Sequence, residues 1–198
     1  MARPRLISDE QILGTMKASV LERGPNVSLD VVAERLGVST PAILKRFGTR
    51  QELMVAALKP AEHPAWMSLA EAGPDDRPFA VQLEEVLTAI TEFFAEAMPC
   101  MVALRESGIP NHVIWANKPP PVKGLNILTG WMGRAKDKGL VATDAVETAA
   151  TALIGSIQTR AFMAHLTQKP FTAKAQATYV REVTQLFVRA LAPTRPTT

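Results

Sequence analysis

The chain has 198 residues, 47% of them hydrophobic and 21% charged, with a formal net charge of +3. That length can bury a real core, and the composition is that of an ordinary soluble globular chain. Its single cysteine, Cys100, excludes an intrachain disulfide and fits a reducing cytosol. The first ten residues lack the apolar core of a signal peptide, and no run of about 18 apolar residues offers a bilayer span, so a cytoplasmic protein without membrane contact is expected.

In chain order, residues 1–7 read as a short basic arm carrying Arg3 and Arg5. Ser8 and Gln11 form a capping box, with Ile7 against Ile12 as its staple. The helix they start runs to about Arg23 and buries Ile12, Met16 and Val20. Gly24-Pro25-Asn26 is a turn. Leu29, Val32, Ala33 and Leu36 then recur at three- and four-residue steps, the signature of one helical face. Gly37 supplies a left-handed stop. Ser39 caps the next helix through the Ala42 amide, and Pro41 fits a first turn whose amides have no intrahelical partner. This second helix ends near Phe47, with Ile43 and Phe47 inward and Thr40, Pro41, Leu44 and Lys45 pointing elsewhere. Thr49 and Glu52 make another capping box, opening a helix to about Lys59 that buries Leu53, Met54 and Ala57. Two short helices joined by a three-residue turn can offer the second to a DNA major groove.

Charge agrees with this reading. The first 60 residues hold nine Lys/Arg against six Asp/Glu, and the remainder holds thirteen of each, so all net positive charge sits with the helix-turn-helix. A division follows: a DNA-binding domain over 1–60 and a helical domain over 61–198.

The run from Ile12 to Leu53 resembles the DNA-binding domain of the TetR family of one-component bacterial regulators. The resemblance rests on Ile12-Leu13, Gly24, Val32-Ala33, Leu36-Gly37-Val38-Ser39, Phe47, Thr49, Arg50 and Glu52-Leu53 at the right spacings. This sequence departs from the pattern at Leu44, where the family usually has Tyr, at Arg46 (His or Tyr), and at Arg50 (Lys); Pro41-Ala42 stand where Gly-Thr is common. The resemblance implies a DNA-binding set of Ser28, Ser39, Thr40, Pro41, Ala42, Leu44, Lys45, Arg46 and Arg50. Within it, Thr40 to Lys45 face base edges or the adjoining backbone, and Ser28, Arg46 and Arg50 are phosphate contacts.

Beyond residue 60 the composition changes. Pro60, Pro64, Pro74 and Pro78 with Gly73 break the chain into an irregular connection carrying a short helix around Trp66–Ala72. A long helix is predicted from Phe79 to Met98, and a short one from Pro99 to about Ser107. Others run from within Pro119-Pro120-Pro121 to Lys138, from Thr143-Asp144 to Thr167, and from Thr172 to Leu191, followed by a disordered tail. The expected fold is all-α, about nine helices, with no strand and no internal repeat.

Phe93, Phe94, Met98, Met101, Trp115, Leu128, Trp131, Met132 and Phe162 are large groups for one thin helical layer. Methionine and aromatics line apolar sites readily, and they also fill cores. Gly124, Gly130 and Gly133 within one helix mark close helix contacts or room for a guest. Arg105, Asn111, His112, Gln158 and His165 are possible polar contacts. The resemblance implies that this set forms an effector pocket for a largely hydrophobic small molecule. It also implies an isologous homodimer through the last two long helices, with Ala149, Ala152, Gly155, Val183, Leu186 and Phe187 at the interface.

No catalytic constellation occurs: G-x-S-x-G, P-loop and G-x-G-x-x-G are all absent, and the three histidines show no metal-ligand spacing with Cys100. Neither an enzyme nor a cofactor is expected. The reading is a transcriptional regulator, in the family's manner a repressor released from a palindromic operator by its ligand. The alternatives are a regulator controlled by a protein partner, and a ligand-binding protein or enzyme whose DNA-binding head has degenerated. The effector, the operator sequence, the controlled genes and the sign of regulation are not written in the sequence.

Overall fold

A computed structural model of the chain describes residues 7–115 and 120–193. Arg3, Arg5, the other arm residues before Ile7, Pro119 and the tail from Thr194 lie outside the described residues. Within them are ten helices and no strand: α1 (Asp9–Arg23), α2 (Leu29–Leu36), α3 (Thr40–Phe47), α4 (Arg50–Leu58), α5 (Ala65–Ala72), α6 (Phe79–Glu106), α7 (Asn111–Trp115), α8 (Pro120–Asp137), α9 (Val146–Leu166) and α10 (Ala173–Ala190). They form two compact units. The first joins residues 7–60 to 99–115, and the second joins 61–98 to 120–193.

In the first unit α1, α3 and α4 each start at a side-chain cap. Ser8 Oγ accepts from Gln11 N at 3.1 Å while Gln11 Oε1 accepts from Ser8 N at 2.9 Å. Thr49 and Glu52 repeat the exchange at α4, at 3.1 and 2.7 Å. Gly37 ends α2 at φ 67°, ψ 33°, a left-handed conformation that a residue with Cβ adopts at a cost. The interior is built from Ile12, Met16, Val20, Val32, Ala33, Ile43, Leu53, Met54 and Leu58. On α4 the buried position is Leu58, whereas Ala57 is half-buried; a 3.6-residue period through Leu53 and Met54 reaches both, and the larger side chain takes the interior.

Pro99 does not divide the helix predicted to stop at Met98: α6 runs through it as one helix of 28 residues. Proline removes one intrahelical hydrogen bond there. Beyond it, Cys100, Ala103 and Leu104 are buried in the first unit's interior, as are Ile109 and Ile114, and that burial favours continued helix. The boundary expected at residue 60 thus leaves out a second passage of chain through the first unit. The unexpected helix α7 belongs to this passage.

By length and apolar composition α6 is able to cross a membrane, with a window of 18 residues at mean hydropathy 1.4. The expectation of no such stretch failed because it was drawn from unbroken apolar runs, and the glutamates that interrupt α6 leave the average high. Half of the window is buried within the protein, as in a core helix. Leu83, Val86, Leu87, Ile90, Phe94, Ala97 and Met98 form the buried side, and Glu84, Glu85, Glu92 and Glu96 stand off it.

In the second unit α8 packs on α5 and α9, and α10 on α9. Gly124 lets α8 close on α5: a Cβ there would stand 3.0 Å from the Trp66 ring and 3.3 Å from Met67 Cε. At Gly133 a Cβ would meet nothing within 4 Å, so of the two only Gly124 marks a close helix contact. Trp131 stacks on Phe79 with centroids 5.3 Å apart. The Gly73–Pro78 link is fixed by side chains. Gln82 accepts from Asp75 N at 2.7 Å and donates to Arg77 O at 2.6 Å, and Arg134 donates to Gly73 O at 2.9 Å and Ala70 O at 2.7 Å.

Candidate functional site

The helix-turn-helix is α2, the turn Gly37-Val38-Ser39, and α3. Val32 and Ala33 of α2 and Ile43 of α3 hold the pair on the interior, which leaves the opposite side of α3 to solvent. Ser39, Pro41, Ala42, Lys45 and Arg46 are exposed, and Thr40 is half-exposed. Ser39 Oγ is engaged as the cap, accepting from Ala42 N at 3.4 Å. Leu44 corrects the expectation: it is half-buried against the interior, because it follows Ile43 by one residue and α3 is only eight residues long.

Two of the three expected phosphate contacts are engaged within the chain. Arg46 donates to the Ile7 carbonyl at 2.5 Å and forms an ion pair with Asp9, tying α3 to the start of α1. Arg50 turns back on the α1–α2 link, donating to Val27 O at 3.0 and 3.3 Å and to Pro25 O. Its forked donors match those carbonyls, so its place in the structure is a clamp. Ser28, the third, is exposed, and its side chain makes no cap bond to α2. Lys45 is exposed at the outer face with no structural tie comparable to these.

Arg35 fixes α2 on α1 through Glu22 at 2.5 Å and Ser19 Oγ at 3.2 Å. That bond holds the Glu22 carboxyl below its ordinary value. One residue of the face escaped the sequence reading. Asp30, in the first turn of α2, accepts a hydrogen bond from Thr40 Oγ1 at 2.6 Å. An acidic residue in a first turn ordinarily reads as favourable to the helix dipole, and nothing local points ten residues ahead.

The expected effector set is split. Phe94, Met98, Leu128, Trp131 and Met132 are buried and Phe93 half-buried in the second unit. Met101 and Trp115 belong to the first unit, and Trp115 packs on its interior; α6 carries the chain there by continuing past Pro99. Arg105 and Asn111, of the same unit, bond each other at 3.3 Å. Phe162 is 41% exposed. The inward side of α9 is taken by Ala149, Ala150, Leu153 and Ile157, which turns Phe162 to the surface.

The same period corrects the expected dimer surface. Ala149 and Val183 are buried within their own chain, Gly155 and Phe187 are half-buried, and Ala152 and Leu186 are exposed. The two helices are joined by Arg160, whose guanidinium lies 3.7 Å from the Phe171 centroid and 4.2 Å from that of Tyr179. Among the described residues no group of three or more His, Cys, Asp or Glu converges to hold a metal ion.

Against known proteins, residues 117–193 match the AefR-like transcriptional repressor C-terminal domain. These residues thus resemble the C-terminal domain of TetR-family repressors. The chain is 28% identical over 111 residues to the HTH-type transcriptional repressor BdcR of Escherichia coli K12, a match spanning 56% of each chain. The chain thus spans little more than half the length of this curated relative. Two solved structures share the fold. One, assigned to TetR-family transcriptional regulators, from Mesorhizobium loti MAFF303099, has a TM-score of 0.71 at 15% identity, over 93% of this chain and 96% of the other. The other, the fatty acid degradation regulator FadR from Bacillus halodurans, has 0.67 at 13% identity, over 95% and 96%.

Proposed function

We propose that this chain is a TetR-family, cytoplasmic DNA-binding transcriptional regulator that represses as a homodimer and leaves a palindromic operator when a small, largely apolar ligand binds. The observation that carries the reading is the exposed side of α3, which holds Ser39 to Ala42, Lys45 and Arg46 on a helix buried only at Ile43. A single eight-residue helix covers too little DNA for specific affinity, whereas two spaced about 34–36 Å apart read both halves of a palindrome.

Dimerisation is supported by α9 and α10. Phe162, Met163 and Leu166 on α9 and Leu186 on α10 are 41–65% exposed, an apolar surface of the kind that a second copy covers. An effector is supported by the second unit's interior, rich in Met and aromatic side chains, where Trp66 Nε1 and Thr129 Oγ1 are buried without a hydrogen-bond partner. Those two atoms would give an apolar guest its polar contacts. Differential binding worth about 1–3 kcal/mol suffices to lower operator occupancy 5- to 150-fold.

The test is selection of random duplex DNA by the purified protein, followed by affinity against salt. An enriched palindrome with half-sites about one helical turn apart supports the reading. Weak, sequence-blind binding rejects it and favours a degenerate head. Thermal shifts against a library of hydrophobic compounds then separate ligand control from control by a protein partner.

A further inference from the structure

Thr40 and Asp30 together define what the reading helix can ask of a base. Thr40 is the first residue of α3 and Asp30 the second of α2, and both are accessible to solvent. The Thr40 hydroxyl donates its hydrogen to Asp30 Oδ1 at 2.6 Å, the length of a charge-assisted O–H···O bond. A hydroxyl has one hydrogen and two lone pairs, and an ionised carboxylate only accepts. With that hydrogen committed inward, the pair offers its surroundings acceptors alone.

In the major groove the donors are the N6 amino group of adenine and the N4 amino group of cytosine. Guanine offers O6 and N7 there and thymine O4, all acceptors. We infer that Thr40 reads an amino-bearing base, adenine or cytosine, at one position of each half-site, and that Asp30 acts as a positioning residue that fixes the polarity of the Thr40 hydroxyl. The inference rests on the reading that α3 enters the major groove. Facing guanine or thymine, two acceptors would meet with no hydrogen between them, and each would lose its water partner.

The experiment begins with random-duplex selection by wild-type protein and by the Thr40→Val, Thr40→Ser and Asp30→Asn variants. Wild type and Thr40→Ser should share a preference for adenine or cytosine at one position per half-site. Thr40→Val should lose it there alone. In Asp30→Asn the side-chain amide can donate to Thr40 Oγ1, freeing its hydrogen, so guanine and thymine should become acceptable. The decisive step removes the base's amino group, replacing adenine by purine or cytosine by 2-pyrimidinone. Wild-type affinity should fall about fivefold per half-site, the worth of one hydrogen bond, and Thr40→Val affinity should not change. If wild type selects a motif that Thr40→Val also selects unchanged, or if both lose equally with the analogues, the inference fails and DNA reading by α3 stands. If wild type selects no motif, the DNA reading fails and the inference with it.

Discussion

The two units dispose of their apolar side chains in opposite ways. Among the described residues of the first unit, Leu21 and Val113 are the large hydrophobics left exposed, and neither lies on the helix-turn-helix. The second unit leaves Phe162, Met163, Leu166, Phe171 and Leu186 exposed on α9, α10 and the link between them. A face meant for a polyanion has no use for apolar area, since phosphate contacts come from charge, hydroxyls and amides. A face meant for a second copy of the chain does. The difference separates a polar outward surface on α3 from an apolar one on α9 and α10, and it can be broken at either end.

The largest effect is expected from Met163→Glu combined with Leu186→Glu. Light scattering should show a monomer, and affinity for a full palindrome should fall at least about a hundredfold while half-site binding persists. Val183→Ala is the control. That residue is buried within its own chain, so thermal unfolding should show a loss of about 2 kcal/mol with the dimer intact. A double variant that remains dimeric would remove α9 and α10 from the interface.

At the other end, Lys45→Ala and Arg50→Ala should weaken DNA binding in different ways. Lys45 is a solvent-facing cation, and its loss should flatten the salt dependence by about one unit per lost contact. Arg50 is occupied with the Pro25 and Val27 carbonyls. Its loss should cost about 1–3 kcal/mol of stability by leaving these acceptors without their donor, with the slope of affinity against salt unchanged. A slope that falls for Arg50→Ala as it does for Lys45→Ala would restore Arg50 as a phosphate contact.

How much of this was legible follows from the range of the forces. Caps act within four residues, so Ser8–Gln11, Ser39–Ala42 and Thr49–Glu52 were readable, and with them the starts of α1, α3 and α4. Residues whose partners lie far along the chain were not. Arg50 with Val27, Arg46 with Ile7 and Thr40 with Asp30 are ten or more positions apart, and a phosphate contact and a carbonyl clamp look alike in a sequence. Pro99 misled for a related reason: proline's local penalty was visible, and the burial of Cys100, Ala103 and Leu104 that outweighs it was not. On α9 the small-residue stripe was seen, but its rotation was not, which placed Ala149 on the wrong side.

Two glycines of α8 give a smaller, sharper contrast. Gly133→Ala meets open space and should stabilise the protein by about 0.5–1 kcal/mol through helix propensity. Gly124→Ala gains the same propensity and drives a methyl to 3.0 Å from the Trp66 ring, an overlap in a packed interior that costs about 1–3 kcal/mol. Paired urea titrations should give shifts of opposite sign. Equal stabilisation by both would mean that α5 and α8 are free to move apart.

The smallest effect concerns acid stability at α4. The Glu52 carboxyl is held below its ordinary value of 4.5, first by the Thr49 backbone amide and then by the Thr49 hydroxyl. A depressed folded-state value means that the unfolded chain binds the proton more readily in acid. The stabilisation is therefore complete above the ordinary value and is lost as pH falls through the folded one. In Glu52→Gln the amide oxygen can still accept from Thr49 N, so the loss near neutral pH should be slight. What should disappear is this residue's share of the acid-side slope, so that wild type and variant converge between about pH 7 and pH 3. Urea midpoints measured along that range decide it. Curves that stay parallel would show that the Glu52 charge contributes nothing to the cap beyond the hydrogen bond a neutral acceptor makes.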